Sequence, residues 1–190
     1  DEKSFGPEHP NVAILLNNLA QLLKATNRLV EAEPLMRRAL EIWEKSLGAE
    51  HPQVAAGLDN LAQLLKATNR LSEAEPLMRR ALEIDEKSFG PGHPDVAIDL
   101  NNLAALLKET DRLDEAEPLY RRALEIFEKS LGAGHPLTET VRGNLERLEK
   151  EKGASPEGAK VEVRSEKVKG AGPKGKVTSE YTAPLRVWDG

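Results

Sequence analysis

Apolar residues fall in two helical stripes per unit of this chain. Val12, Leu15, Leu16, Leu19, Leu22 and Leu23 recur at three- and four-residue spacing, and Leu29, Ala32, Leu35, Met36, Ala39, Leu40 and Trp43 do so again. That period marks two amphipathic helices joined by a short turn. The first is expected from about residue 11 to 26, just after a His-Pro pair whose proline sits where a missing N–H costs little. The second is expected from near residue 30 to the glycine of SLG, a residue type that ends helices. In later copies Ser72 with Glu75, and Asp114 with Glu117, have the spacing of a capping box at the start of the second helix. Pro34, Pro76 and Pro118 are expected within about its first turn, where proline does little harm.

The unit repeats. Histidines stand at 9, 51, 93 and 135, each 42 residues from the last. Copies start at Glu2, Glu44 and Glu86, the first two identical at 34 of 42 positions, and a half copy starts at Glu128. Self-similarity at this period signals stacked supersecondary units, each unable to bury its apolar faces alone. The expected architecture is all-α: three and a half helix-turn-helix repeats (2–43, 44–85, 86–127 and a capping half repeat 128–153), followed by a non-helical tail, 154–190.

The pattern Leu16, Leu19, Ala20, Leu23, Leu29, Ala32, Met36, Ala39 resembles a tetratricopeptide repeat, with Ala20 and Ala32 where two helices must approach closely. The 42-residue length and the strings LGxxHPxVA, LNNLAxLL and EAEPLxRRALEI resemble the kinesin-light-chain type. The resemblance covers about residues 1 to 152. It implies a right-handed α-solenoid whose concave wall is lined by first helices, and it is much less specific about partner than about fold.

On that wall the resemblance places Asn17, Asn18, Gln21 and Lys24, then Asp59, Asn60, Gln63 and Lys66, then Asn101, Asn102, Ala105 and Lys108. A ladder of Asn18, Asn60, Asn102 and Asn144 suits an extended peptide, because an amide both donates to and accepts from a peptide backbone, and the lysines suit ligand carboxylates. The alternative is that each asparagine bonds to the neighbouring repeat and holds the superhelix together, with the lysines merely solvated. Near-identical repeats also argue against fine sequence discrimination along the wall.

The two ends differ. Val141, Leu145 and Leu148 keep the apolar stripe that faces the preceding repeat, while Arg142, Glu146 and Glu149 replace the forward-facing Leu16, Ala20 and Leu23, as a terminal cap requires. At the start, DEKSFG at 1–6 matches DEKSFG at 85–90, so it corresponds to the tail of a helix. Leu15, Leu19 and Leu22 are then expected to face water unless a longer array or another subunit covers them.

Composition narrows the function. A net charge of −5 argues against broad nucleic-acid binding, and 4% aromatic residues provide few stacking platforms. No run of 18 apolar residues exists to span a bilayer, and there is no cysteine to build a disulfide or thiolate site. The compartment stays open, cytoplasmic by default and extracellular if the start at Asp1 reflects a removed leader. Metal ligands must converge within about 2.1 Å of one ion, whereas helices pack about 8–10 Å apart, so the histidine ladder is read as capping and loop packing, not metal binding. Glu31, Glu33 and Glu41 recur in the later copies on exposed faces, no phosphate loop or nucleophile motif is present, and neither an enzyme activity nor a cofactor is expected.

The tail, net +2 against −7 for residues 1–153, carries three strand-like stretches, KVEVR, GKVTSEY and LRVWD. Tyr181, Leu185, Val187 and Trp188 are its candidate anchors if it forms an arm to a neighbouring subunit; the other readings are a β element folded back on its own array and a linker. Together these features point to an interaction scaffold that takes a peptide or protein in its groove. Two alternatives are a structural subunit that assembles into a fibre or oligomer through the uncapped first repeat and the tail, and a regulatory array of a larger signalling protein.

Overall fold

A computed structural model describes residues 6–154. The anchors expected at Tyr181, Leu185, Val187 and Trp188, and the three strand-like stretches, lie outside the described residues. Seven α-helices follow one another among the described residues: α1 Pro10–Ala25, α2 Leu29–Leu47, α3 Pro52–Ala67, α4 Leu71–Phe89, α5 Pro94–Glu109, α6 Leu113–Ser130 and α7 Pro136–Ala154. They form an α-solenoid of helix pairs, α1 with α2, α3 with α4 and α5 with α6, closed by the single helix α7. α1, α3 and α5 pack on their own second helices, α3, α5 and α7 also pack on the second helix of the preceding pair, and α5 touches α7.

Each first helix starts on a histidine. His9, His51 and His93 have extended backbone at the N-cap, and their Nδ1 atoms accept from the amides of Asn11, Gln53 and Asp95 at 3.1–3.2 Å. His135 caps α7 in the same way, accepting from Leu137 at 3.2 Å. A neutral imidazole thereby satisfies one of the helix-end donors that otherwise lack a partner. The first helix ends at a threonine: Thr26 Oγ1 donates to the Leu22 and Leu23 carbonyls at 3.0 Å, and Thr68 and Thr110 repeat the arrangement. Asn27, Asn69 and Asp111 then turn the chain at φ near +60°, a left-handed conformation these side chains tolerate.

Two local expectations need correction. The second helices begin at Leu29, Leu71 and Leu113, with Arg28, Arg70 and Arg112 at the N-cap and no side-chain cap bond. Ser72 and Asp114 therefore lie one residue inside the helix and close no capping box. The arginine instead clamps the carboxylate three residues on: Arg70 donates through Nε and Nη2 to Glu73, both at 2.7 Å. Pro34, Pro76 and Pro118 consequently sit in the second turn, not the first. The Val30 carbonyl thus loses its helical donor, at a residue so exposed that water replaces it.

The core is shared between pairs. Ala20, Ala32 and Ala39, with their counterparts in the next two copies, are fully buried, and a larger side chain there would push two backbones apart. At the first junction Trp43 of α2 lies flat on Gly57 of α3, where an added Cβ would stand 3.0 Å from the indole ring. The indole is buried and its N–H has no partner. Trp43→Ala should lower stability by about 3 kcal/mol, the low end for a buried aromatic because no paired N–H is lost with it. Urea unfolding followed by helical circular dichroism reads this directly, and an unchanged midpoint would mean the junction is not packed as described.

Candidate interaction surface

The expected groove residues form one connected row across the first helices. Asn60 Nδ2 donates to Asn17 Oδ1 at 3.3 Å, Asn102 Nδ2 to both Asp59 oxygens at 3.3 Å, and Asn144 Nδ2 to Asn101 Oδ1 at 2.9 Å. Three members of the asparagine ladder thus bond to the preceding repeat, while Asn18 at its start is exposed. The lysines are tied down as well. Lys24 Nζ donates to Gln63 Oε1 at 3.1 Å, Lys66 pairs with Glu109 at 2.9 Å, and Lys108 with Glu151 at 2.7 Å. Each of these contacts reaches into the following repeat. Partial burial holds Lys24 below the usual lysine range, opposed by the nearby Asp59 carboxylate. The row therefore helps set repeat spacing, and a ligand along it would meet preorganised amides and ion pairs.

The opposite wall, made by second helices, is stitched by ion pairs at the same period. Arg70 reaches Glu33 and Arg112 reaches Glu75, both at 2.7 Å, and Lys152 reaches Glu117 at 2.6 Å. At the other end of these helices Arg80 meets Glu44 at 2.6 Å and Arg122 meets Glu86 at 2.5 Å.

Leu15, Leu19 and Leu22 are 53%, 47% and 62% exposed, whereas Leu61 and Leu64, their counterparts one copy on, are 1% and 0% exposed. At the far end Val141, Leu145 and Leu148 are buried, and Glu146 and Glu149 are exposed.

Sequence reasoning missed one feature, at the junction of α4 with α5. The positions of Trp43 and Gly57 at the first junction, and of Phe127 and Val141 at the third, are taken there by Asp85 and Asp99. The two carboxyls are within hydrogen-bond range of each other and only 8% and 6% exposed, yet Asp85 Oδ1 and Asp99 Oδ2 have no partner. Beside them opens a cavity of about 390 Å³, which Asp59 and Asp95 also line. Burial, then the negative charge of Asp59 and Asp85, pushes Asp99 up to about 8, and burial raises Asp85 too.

The tetratricopeptide repeat family profile matches residues 23–87, 73–129 and 95–157, well over half of the chain. The chain belongs to the tetratricopeptide repeat family. Its fold is similar to that of a Podosopora anserina kinesin-light-chain-like protein with nearly identical TPR-like repeats (TM-score 0.70, 26% identity, 76% of this chain and 69% of that one). BtubC (BKLC) from P. vanneervenii matches at TM-score 0.63 and 20% identity over 93% of this chain and 73% of that one. The N-terminal domain of stress-induced protein-1 (STI-1) from C. elegans matches at 0.55 and 14% over 74% and 96%. The last two likenesses concern fold alone. A search of curated proteins finds no match. The kinesin-light-chain type read from the 42-residue repeat is matched by the Podosopora anserina array.

The carboxyl pair makes a pH prediction for this TPR array. Asp99 ionises at 3.8 in an ordinary setting and at about 8 when folded, so the unfolded chain releases that proton first. Between those values the folded state binds more protons, and the stability this group contributes falls as pH rises, levelling off above about 8. Asp99→Asn should therefore be more stable than the parent at pH 8, by on the order of 2 kcal/mol, with the gap closing towards pH 4. Urea midpoints of both proteins across that range check it.

Proposed function

We propose that the array is a protein–protein interaction module that holds a peptide or protein partner along the wall of its first helices. The observation that carries this reading is the series of polar pairs Asn17–Asn60, Asp59–Asn102 and Asn101–Asn144, one at each step between repeats. An extended chain laid along it meets a polar pair at each step, amide with amide at the first and third and amide with carboxylate at the second. Asn18 and Gln21, where the row begins, supply the less committed contacts, because no earlier repeat among the described residues claims them, and Lys24 beside them carries the charge. Near-identity of the steps suits recognition of backbone and charge over a particular sequence.

The test is to select peptides on the purified chain from a displayed library and measure their affinity for variants. Asn18→Ala with Gln21→Ala and Lys24→Ala should weaken binding about tenfold, roughly 1.4 kcal/mol. Peptides indifferent to that triple change but lost on changing the exposed Arg37 of α2 and Arg79 of α4 would place recognition on the second helices and overturn the reading.

A second reading rests on the exposed Leu15, Leu19 and Leu22. A second copy of the chain is a suitable cover, apolar face to apolar face. Continuation from one copy's α7 would set these leucines against Glu146 and Glu149, so the paired arrangement closes on itself where a head-to-tail one would propagate. Light scattering over a concentration series should show a dimer that Leu19→Glu converts to monomer. A parent that stays monomeric at the highest concentration removes this reading and leaves the first intact.

A further inference from the structure

The acidic cavity at the α4–α5 junction has a feature that periodic surface charge lacks: none of its four carboxylates belongs to the repeat. Asp59 stands where the other copies have Asn17, Asn101 and Gly143, and Asp95 where they have Asn11, Gln53 and Leu137. Asp99 stands where they have Leu15, Gly57 and Val141. Asp85 replaces Trp43 and Phe127, and only Asp1 shares its residue type at that position. Four departures from a near-identical pattern, drawn from three helices, meet in one cavity.

Their effect on packing is adverse. The first junction fills this place with an indole on a glycine, and the third with Phe127 and Val141, all buried. The second gives up that apolar contact, leaves an opening of about 390 Å³, and buries two carboxyls that repel when both are charged. One oxygen on each lacks any partner, at residues more than nine-tenths buried. Unsatisfied buried acceptors cost stability, so an arrangement of this kind is completed by a donor from outside the array.

The chemistry of the walls narrows the donor. Every ionisable group lining the cavity is a carboxyl. Phe89, held against His93 with ring centroids 4.7 Å apart, and Ile98 flank it with exposed apolar surface. Asp59 is already engaged by Gln63 at 2.7 Å and by Asn102 at 3.3 Å, so the open acceptors are those of Asp85 and Asp99. No group of three or more possible metal ligands gathers among the described residues, and paired carboxyls beside exposed apolar surface fit an organic cation. A side chain with an apolar stem and a charged, multiply donating head matches both parts of the cavity.

We infer that this cavity is an anchor site for a lysine or arginine side chain of a partner protein, whose head group is held by Asp85 and Asp99 and whose stem lies along Phe89 and Ile98. This rests on the array being a partner-binding module and names the chemistry it recognises at its central junction. Entry of the cation displaces the proton the carboxyl pair holds when empty. The groups facing that pair are Asp59 from α3, Asp95 on α5 and His93 at its N-cap. Affinity therefore falls as pH is lowered from 8 to 5.

The test uses amide NMR of the intact chain with Nα-acetyl-arginine amide and Nα-acetyl-lysine amide as probes, and the neutral isostere Nα-acetyl-citrulline amide as control. Saturable shifts are expected at residues 52–59 and 85–99 with a cationic probe, at least tenfold weaker with citrulline and weaker at pH 5 than at pH 8. They should vanish in Asp85→Asn with Asp99→Asn. They should also vanish in Asp85→Trp with Asp99→Gly, which transplants the packed first junction and keeps the fold by a different route. Equal binding of citrulline, insensitivity to both double variants, or no shift at tens of millimolar probe would each overturn the assignment. Because each probe is a single residue, too short to lie along the polar row, such a failure leaves peptide binding to the rest of the wall untouched. Failure of that wall to bind peptides would likewise leave a positive probe result standing.

Discussion

A first helix of this array is apolar on two sides, and it must be covered on both. One side meets its own second helix and the other meets the second helix of the preceding pair. Everything else follows from that requirement. The alanines at the crossings let backbones approach, and the histidine caps and threonine ends fix where each helix starts and stops. The leucines of α1 show what an uncovered side looks like, and α7 meets the requirement at its own end by carrying charge there. Each junction buries the apolar area that no helix pair could bury alone.

Polar groups follow the same period and do a second job. Asparagine bonds on one wall and arginine–glutamate pairs on the other both reach one repeat along, so they set the relative placement of neighbouring pairs. Exposed pairs of this kind contribute little individually, around 0–1 kcal/mol. Their value lies in register, since every step offers the same partners in the same place. The wall therefore offers a ligand a repeating surface, and distinctiveness has to come from departures from the repeat. The carboxyls at the α4–α5 junction are the largest such departure in chemical character.

The repeat period, the helix pairs, the capping of the last helix and the exposed start were legible because they depend on apolar spacing, which the sequence displays openly. Helix starts were less so. Ser72 with Glu75 has the spacing of a capping box, but Arg70, held in place by Glu73, takes the cap position after the left-handed turn at Asn69; that competition is settled by backbone geometry, which spacing does not encode. The asparagine ladder was visible, but whether its amides point to a ligand or to the next repeat depends on distances between helices. The acidic cavity escaped notice because its carboxylates look unremarkable one at a time among 32 acidic residues. Subtracting one copy from the next would have exposed it: Asp59 and Asp85 are two of only eight differences between the first two copies, and Asp95 and Asp99 replace a glutamine and a glycine in the third.

The central claim is that one junction has exchanged an apolar contact for a buried, mutually repelling carboxyl pair. A carboxyl-carbon NMR titration of the aspartates measures this most directly. The account predicts that Asp99 titrates near pH 8, with Asp85 also displaced upward. If Asp85 and Asp99 both titrate near 4, the pair is solvated, and the junction is neither buried nor short of a partner.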